Sequence, residues 1–483
     1  MSRIVQLRGM LEKKQISCRE LTESYLERIE KQNGRLRALI TITEEEALQT
    51  ADTVDKKISK GEKLRPLEGI PMAVKDNIST MGIETTCASR MLSGYKPIYD
   101  AHVWQLLKQQ NAPLLGKCNM DEFSMGSTCE TSLIGGAKNP HDTNRVAGGS
   151  SGGSASSVAA NMAAYSLGSD TGGSIRLPAS FCGLIGLKPT YGSVSRYGLF
   201  AYASSMEQIG PIAFSAEDAA IVFDVISERD TRDMTSKGIS EKTHPQLGRS
   251  LSGLRIGISD EMLGSAGDDV SRAVREAADV YRKLGAQLVP VSFSLQKYVL
   301  PVYYILSFSE ASSNLGCYDG IRFGPAADKY DDIDHMISLT RSMNFGREVK
   351  LRLLLGTYIL SSGPYDVYYK KAQNLRSIIA KQIKEEIFNH CDVFLSPTTP
   401  FTAFKSGTNL SSENNGDSYT TMANLTGLPA ISLPCGYDVD NMPIGMQLIG
   451  KHFCEAQILN AAYMFERETD GAFLSRLETG YEI

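Results

Sequence analysis

Short apolar strands alternate with amphipathic helices along this chain, and this alternation restricts the fold more than any other feature. Residues 254–293 show it clearly, with strand-like LRIGISD and QLVPVSF on either side of the helical segment DDVSRAVREAADVYRKLGA. Further upstream, Ile70, Met72 and Val74 alternate as they would in a strand that ends at Lys75. Strands separated by helices are typical of α/β proteins, so we predict that fold class.

Two segments without the strand pattern indicate the domain organisation. Residues from about 1 to 65 read as helical, and Ser17 and Glu20 have the spacing of a capping box. Residues from about 226 to 250 are polar and predict a surface loop, which could divide two domains or connect strands of one sheet. Because strand-like segments occur on both sides of this loop, we predict a single domain over residues 1–483.

Composition argues against several classes of function. The 483 residues have a formal net charge of −5, so no global basic field attracts nucleic acid or an anionic membrane. The nine cysteines include no C-x-x-C pair, and their odd number fits reduced thiols in the cytosol. No run of about 18 apolar residues is present. We therefore expect a cytoplasmic protein without a membrane span or a metal site.

The stretch from Arg145 to Arg176, RVAGGSSGGSASSVAANMAAYSLGSDTGGSIR, has the glycine and serine content of a flexible linker, but apolar residues interrupt it. A phosphate-binding loop would need G-x-x-x-x-G-K-[ST] or G-x-G-x-x-G, and the sequence contains neither. The residues after Gly153 predict a small helix, and AYSLGSD predicts a strand that enters a glycine turn. An active site is therefore the alternative to a linker.

Two kinds of activated serine fit this stretch. Residues 149–153 contain G-x-S-x-G, but a hydrolase of that type needs a histidine base, and the nearby candidates are His102 and His141. A lysine can be the base when burial lowers its pKa below the usual value of about 10.4. Lys75, at the end of an apolar strand, has that placement, and a structural ion pair with Asp76 is the other interpretation of this lysine.

Three segments favour the lysine mechanism. LEGIPMAVKDN, GGSSGGS and SDTGGSIRLPASFCGLIGLKPTYG occur in the order of the catalytic elements of the amidase signature family, which this chain resembles over most of its length. The resemblance implies an amidase-signature fold, in which a large mixed central β-sheet is covered by helices on both faces. It also implies a Ser–cis-Ser–Lys triad of Lys75, Ser150 and Ser174, with a cis peptide bond before Ser150.

The resemblance also implies a role for each member of the triad. Ser174 is the nucleophile that attacks the amide carbon. Lys75, neutral when buried, accepts the serine proton through Ser150 and later returns a proton to the departing ammonia.

The glycine turn in SDTGGS has two implied tasks. Asp170 and Arg176 anchor the turn, Arg176 through an ion pair and Asp170 by accepting hydrogen bonds. The developing oxyanion is held by backbone N–H groups around three residues, Thr171, Gly172 and Gly173.

Further stretches, including KCNMDEFSMGS, AYASSMEQIGP and LLLGTYILSSGPYDVYYKKAQNLR, are similar to those glutaminase subunits of tRNA-dependent amidotransferases that belong to this family. This similarity implies that glutamine is the substrate, with Arg352 holding its α-carboxylate and Asp417 its α-ammonium group. It also implies that either Tyr303 or Tyr304 lines the pocket, and the residues leave that choice open. The segment TCETS departs from the Ser/Thr-Glu-Asn-Ser run of the family.

The partners implied are the B and C subunits of the amidotransferase, in a heterotrimer. This chain would need no cofactor, whereas the B subunit would use ATP and Mg²⁺ with the released ammonia to convert misacylated Glu-tRNA(Gln) to Gln-tRNA(Gln). Asp-tRNA(Asn) is left open as a second substrate. A stand-alone amidase that hydrolyses small or peptide amides is the alternative function, and a non-catalytic scaffold is a third.

Overall fold

The computed structural model describes residues 2–408 and 416–473, and eleven strands in this part of the chain form one sheet. In chain order the strands are β1 Leu39–Ile42, β2 Met72–Lys75, β3 Leu114–Cys118, β4 Tyr165–Asp170, β5 Ile185–Lys188, β6 Gln208–Ala213, β7 Arg255–Ile258, β8 Gln287–Pro290, β9 Val393–Pro397, β10 Ala430–Tyr437 and β11 Pro443–Gly450. Their order across the sheet is β1-β3-β2-β4-β6-β5-β10-β11-β9-β7-β8.

The helices of the same residues account for most of the remaining regular structure. They are α1 Arg3–Glu12, α2 Cys18–Leu36, α3 Glu44–Ser59, α4 His102–Gln109, α5 Gly152–Ala159, α6 Arg176–Phe181, α7 Ala216–Ile226, α8 Asp260–Gly264, α9 Asp268–Lys283, α10 Gln296–Asn314, α11 Ile333–Asn344, α12 Arg347–Leu360, α13 Lys370–Gln382, α14 Thr421–Thr426 and α15 Glu455–Glu468. Turns of π-helix, Tyr365–Tyr369 and Ile383–Phe388, flank α13. Within the described residues, no helix combines the length and the apolar character that crossing a membrane requires.

The sheet is mixed, as the family resemblance implied. Strands β3, β2 and β4 run parallel, and so do β9, β7 and β8, whereas the other neighbouring pairs are antiparallel. The strand–helix–strand unit predicted for residues 254–293 is confirmed as β7, α9 and β8. The α/β fold class is therefore confirmed.

Helices cover both faces of the sheet, because alternate residues of one strand lie in different apolar cores. Val393 and Leu395 of β9 belong to a core that α2, α5, α7, α9 and α15 line. Phe394, between them, belongs to a second core formed by α10, α12, α13 and α14. This arrangement confirms the prediction of helices on both sides.

The N-terminal region contains α1, α2 and α3, together with strand β1, which the sequence did not predict. The capping box of α2 is confirmed: the Glu20 N–H donates to Ser17 Oγ at 3.1 Å, and the Ser17 N–H donates to Glu20 Oε2 at 2.9 Å. Residues 227–250 are irregular apart from the single turn His244–Gln246. The single-domain prediction also covers residues 1, 409–415 and 474–483, which lie outside the described residues, and it stays a prediction.

The parallel pairing of β2 with β4 brings the candidate residues to one edge of the sheet. Val74 lies opposite Leu167 in this pair, so the carboxyl ends of the two strands are adjacent. Lys75 is the last residue of β2, and the turn before Ser174 begins directly after β4. In α/β sheets this edge is where ligand sites form, because loops diverge there.

Gly153 allows α5 to approach the sheet closely. Its N–H donates to the Asn119 carbonyl at 3.0 Å. A Cβ at this position would lie 2.3 Å from the Ala38 carbonyl oxygen and 2.4 Å from the Asn119 nitrogen, both of them backbone atoms. The absence of a side chain therefore determines how near α5 lies to the end of β3.

We expect Gly153→Ala to destabilise the protein, because the new methyl group can be accommodated only by moving backbone. Overpacking of this kind costs about 1–3 kcal/mol and lowers Tm in a thermal scan. Gly9→Ala in α1 is the matched control, since a Cβ there meets nothing within 4 Å and alanine favours a helix by about 1 kcal/mol. Equal Tm values for the two variants would contradict this explanation of Gly153.

Candidate active site

Lys75 is fully buried, and its three nearest polar partners are uncharged. Its Nζ donates to Ser150 Oγ at 2.7 Å, to Ser169 Oγ at 2.9 Å and to the Ser169 carbonyl at 3.3 Å. Burial lowers the pKa of Lys75 to about 7, although the negative charges of Asp121 and Asp170 oppose the shift. A large fraction of this amine is therefore neutral near pH 7 and able to accept a proton.

The structure does not support a structural ion pair between Lys75 and Asp76. Asp76 Oδ1 lies 3.8 Å from Nζ of Lys117, which also donates to the Ile78 carbonyl at 2.6 Å. The other carboxylate oxygen of Asp76 accepts from the Thr86 hydroxyl at 2.5 Å. Asp76 therefore lies beside Lys117 on the neighbouring strand β3.

Neither nearby histidine lies beside the candidate serines. His102 is next to Asp230, with 3.7 Å between Nδ1 and the carboxylate, and it also contacts Arg232. His141 Nε2 lies 3.1 Å from the Cys182 carbonyl. A histidine-based serine hydrolase is thus not supported by the positions of these side chains.

A main-chain hydrogen bond holds the Ser150 loop against the Ser174 turn. The peptide bond Gly149–Ser150 is cis, as the family resemblance implied. The Ser151 N–H donates to the Ser174 carbonyl at 3.1 Å. Ser150 has no exposed surface, whereas Ser174 is 8% exposed, so an incoming substrate reaches Ser174 first.

The two hydroxyls differ in their side-chain contacts. Ser150 Oγ accepts from Lys75, but within the described residues no hydrogen bond joins the Ser174 side chain to Ser150. The proton relay between these two serines therefore stays a prediction.

The turn before Ser174 is anchored as expected by Asp170 and Arg176, both fully buried. Asp170 forms a two-point ion pair with Arg176, with distances of 3.0 Å to Nε and 3.0 Å to Nη2. Burial by itself would raise the pKa of Asp170, but the Arg176 charge and its hydrogen bonds hold that pKa at about 2. Asp170 stays ionised at any physiological pH.

Two side chains from the region of α14 hold the same turn from the other side. Thr420 Oγ1 donates to the Gly172 carbonyl at 2.5 Å. Asn424 Nδ2 donates to Asp170 Oδ1 at 2.9 Å, and its oxygen accepts from Arg176 Nη2 at 2.7 Å. These contacts fix the orientation of the Gly172 carbonyl and of the Asp170–Arg176 pair.

The three amides predicted for the oxyanion hole are not equivalent. The Gly173 N–H donates to Asp170 Oδ1 at 2.8 Å and so takes part in holding the turn. In the described part of the chain, the N–H groups of Thr171 and Gly172 donate to no protein acceptor. Their availability fits oxyanion binding, and that role stays a prediction.

The structure distinguishes between the two pocket tyrosines that the sequence left open. A Cβ on Gly172 would lie 2.5 Å from the Tyr303 hydroxyl oxygen, so the Tyr303 ring covers the turn. Burial raises the pKa of Tyr303 well above its usual value, and nearby Tyr202 and Asp417 add to the shift. Tyr303 is therefore the tyrosine at this site.

Arg352 and Asp417 belong to the same neighbourhood. Arg352, on α12, donates from Nε to Glu348 at 2.8 Å and from Nη1 to the Tyr202 hydroxyl at 2.9 Å. Burial raises the pKa of Asp417 to about 7, and the positive charge of Arg352 opposes the shift. The Arg352 guanidinium and the Asp417 carboxyl thus interact electrostatically in the neighbourhood of Tyr303, and their binding of glutamine stays a prediction.

Ser169 is a member of the site that the sequence did not predict. Its hydroxyl accepts from Lys75 and also from Asn77 Nδ2, at 2.9 Å in each case. Asn77 is the last residue of LEGIPMAVKDN and Ser169 is the first residue of SDTGGS, so both lie in segments that the sequence had already identified. Only the pairing of β2 with β4 shows that they meet.

Comparison with known proteins agrees with this geometry. A family model described as amidase matches residues 20–459. The chain belongs to the amidase family. The A subunit of glutamyl-tRNA(Gln) amidotransferase from Thermoanaerobacter pseudethanolicus is 50% identical over 469 residues, which cover 96% of each chain. The resemblance stated from the sequence is therefore confirmed.

Solved structures place this amidase-family chain in the same group. The A subunit of glutamyl-tRNA(Gln) amidotransferase from Thermotoga maritima superposes with a TM-score of 0.78 at 37% identity, covering 93% of this chain and 91% of that one. The peptide amidase of Stenotrophomonas maltophilia has a TM-score of 0.85 at 28% identity, covering 97% and 96%.

The described residues contain no group of three or more His, Cys, Asp or Glu side chains placed to hold a metal ion. The groups collected around Lys75 are hydroxyls, amides and backbone atoms. Such groups suit proton transfer and the binding of a polar substrate.

We expect Ser169→Ala to lower kcat about tenfold or more, because Lys75 loses one of its two hydroxyl partners and the orientation that this partner provides. Ser166→Ala is the matched control on β4, since that hydroxyl donates to the Ser154 carbonyl at 2.9 Å. The measurement is ammonia release from glutamine. Equal rates for the two variants would show that Ser169 does not assist Lys75.

We expect the rate at saturating glutamine to rise with pH through about 7 and then level off. Lys75 accepts a proton only in its neutral form, and its pKa is about 7. At pH 6 the rate should therefore be about a tenth of its plateau. Lys75→Arg, which keeps the positive charge, should be inactive throughout. A wild-type rate that stays constant between pH 5.5 and 8 would exclude this assignment.

Proposed function

We propose that this chain is the glutaminase subunit of a tRNA-dependent amidotransferase. The observation that carries the proposal is 50% identity, over 96% of each chain, to the A subunit of a glutamyl-tRNA(Gln) amidotransferase. The site supports the same function, because a buried lysine, two serines, an arginine and a carboxyl group occupy one neighbourhood.

The triad performs amide hydrolysis in two stages. Ser174 attacks the side-chain carboxamide carbon of glutamine, and its proton passes through Ser150 to neutral Lys75. The C–N bond breaks as Lys75 returns a proton to the leaving nitrogen, which departs as ammonia. Water then attacks the acyl-enzyme, again with Lys75 as base, and releases glutamate.

The surrounding groups stabilise the charge and hold the substrate. Amides of the glycine turn, Thr171, Gly172 and Gly173, bind the oxyanion, and losing one such donor costs about 10²–10³ in rate. Arg352 binds the α-carboxylate and Asp417 binds the α-ammonium group. These two contacts select a free amino acid over a simple amide.

The released ammonia is used elsewhere in the complex. The B and C subunits complete a cytoplasmic heterotrimer with this chain, and ATP and Mg²⁺ act in the B subunit to convert Glu-tRNA(Gln) to Gln-tRNA(Gln). The chain's net charge of −5 fits an arrangement in which a partner carries most of the tRNA contact.

Ser174→Ala tests the function. We expect the complex with this variant to lose conversion of Glu-tRNA(Gln) when glutamine is the nitrogen donor and to keep it when ammonium chloride is supplied. Only ammonia production depends on Ser174, which explains the difference. Ser157→Ala on α5 is a control, because its hydroxyl donates to the Ser154 carbonyl and lies outside the triad.

Two results would overturn the proposal. Normal glutamine-dependent conversion by the Ser174→Ala complex would remove Ser174 from the mechanism. Rapid hydrolysis of small amides by the wild-type chain alone, unaffected by Arg352→Ala or Asp417→Ala, would show a stand-alone amidase instead.

A further inference from the structure

The guanidinium of Arg352 is held from two sides by other side chains of the protein. Its Nε donates to Glu348 Oε1 at 2.8 Å, one helical turn earlier in α12. Its Nη1 donates to the Tyr202 hydroxyl at 2.9 Å, and its Cζ lies 5.8 Å from the centre of the Tyr202 ring. Its side chain is only 13% exposed, so these contacts limit its orientation.

These contacts leave one end of the guanidinium available. Among the described residues, no acceptor receives a hydrogen bond from Arg352 Nη2, and this nitrogen is accessible to solvent. An arginine carries five N–H donors, and two nitrogens account for the contacts with Glu348 and Tyr202. Nη2 is therefore the donor that an anionic ligand can reach.

Tyr202 is itself fixed by contacts from two directions. Its N–H donates to Glu207 Oε2 at 3.0 Å, and its carbonyl accepts from Asn314 Nδ2 at 3.2 Å. The residue is 1% exposed and belongs to the second apolar core. These contacts and the surrounding core restrict where its hydroxyl can lie.

The Tyr202 hydroxyl also has a free proton. Because its oxygen accepts from Arg352, the phenolic O–H can donate elsewhere. Within the described residues, no acceptor receives this proton. Arg352 Nη2 and the Tyr202 O–H are thus two unused donors that belong to one hydrogen-bonded pair.

We propose that Tyr202 is a specificity-determining residue for glutamine: it orients Arg352 and supplies a second donor to the α-carboxylate. The inference rests on the proposed function, since it concerns how the same site selects its substrate. Tyr202 acts on the recognition end of the substrate and takes no part in the chemistry at Ser174.

The test is Tyr202→Phe, which removes one oxygen and keeps the ring. The variant chain is purified in complex with its partner subunits and compared with wild type on glutamine. KM should rise about tenfold, as expected when a buried charged hydrogen-bond pair loses a partner, while kcat changes less than twofold.

A second substrate separates recognition from structural damage. Glutamine α-amide has no α-carboxylate, so Tyr202→Phe should change its kcat/KM less than twofold, measured as formation of glutamic acid α-amide. Tyr358→Phe, an exposed tyrosine on the same helix as Arg352, is the control and should leave both substrates unaffected.

A double-mutant cycle completes the test. In an Arg352→Lys complex, Tyr202→Phe should raise the KM for glutamine by a smaller factor than it does beside Arg352, because only its direct donation to the α-carboxylate is left to lose. The inference would be overturned if Tyr202→Phe lowered kcat/KM equally for both substrates or left the KM for glutamine unchanged. Full additivity of Tyr202→Phe with Arg352→Lys would overturn it as well. If the wild-type complex releases no ammonia from glutamine, the proposed function itself fails, which is a distinguishable result.

Discussion

Asp170 and Arg176 form an ion pair from which solvent is fully excluded, and the candidate active site depends on it. Removing two charges from water is costly, so such a pair persists only when its remaining hydrogen-bonding capacity is used. Here Arg176 also donates to Gln447 Oε1 of β11 and to Asn424 of α14, and Asp170 accepts from the Gly173 N–H. One ionic contact therefore joins the end of β4, the glycine turn, α6, α14 and β11.

The two neighbouring buried lysines differ in the charge around them. Lys117 on β3 has Asp76 within 3.8 Å, and burial lowers its pKa to about 8. Lys75 on β2 contacts hydroxyls and a carbonyl, and its pKa is lowered further, to about 7. Asp76 lies beside Lys117, and within the described residues Lys75 forms no ion pair with a carboxylate.

Local patterns predicted the elements next to Lys75, Ser150 and Ser174 but not helix α10, which carries Tyr303. The strand before Lys75, the helix after Gly153 and the strand before the glycine turn were all visible as short periodic runs. Helix α10 was missed, because its sequence contains Pro301, which is unfavourable inside a helix, and apolar residues occupy much of its circumference. Since α10 carries Tyr303, no pattern could choose that residue over Tyr304.

The contacts of Arg352 illustrate the same limit. Only the family resemblance pointed to Arg352. Its hydrogen-bond partner Tyr202 lies 150 residues away in the sequence. Ser169 and Lys75, 94 residues apart, likewise meet only because β2 and β4 are parallel neighbours. No spacing rule connects residues on separate elements, because their distance is set by how strands pair and helices pack.

On its own, the sequence determined the family and the α/β class, and it singled out Lys75, Ser150 and Ser174 as the predicted triad, because these are specified by residue type and order. The tertiary structure alone decided which acid accompanies which lysine, which tyrosine covers the turn and which donors remain free. The physical reason is that pKa values and hydrogen bonds depend on burial and distance, and these exist only when remote segments come together.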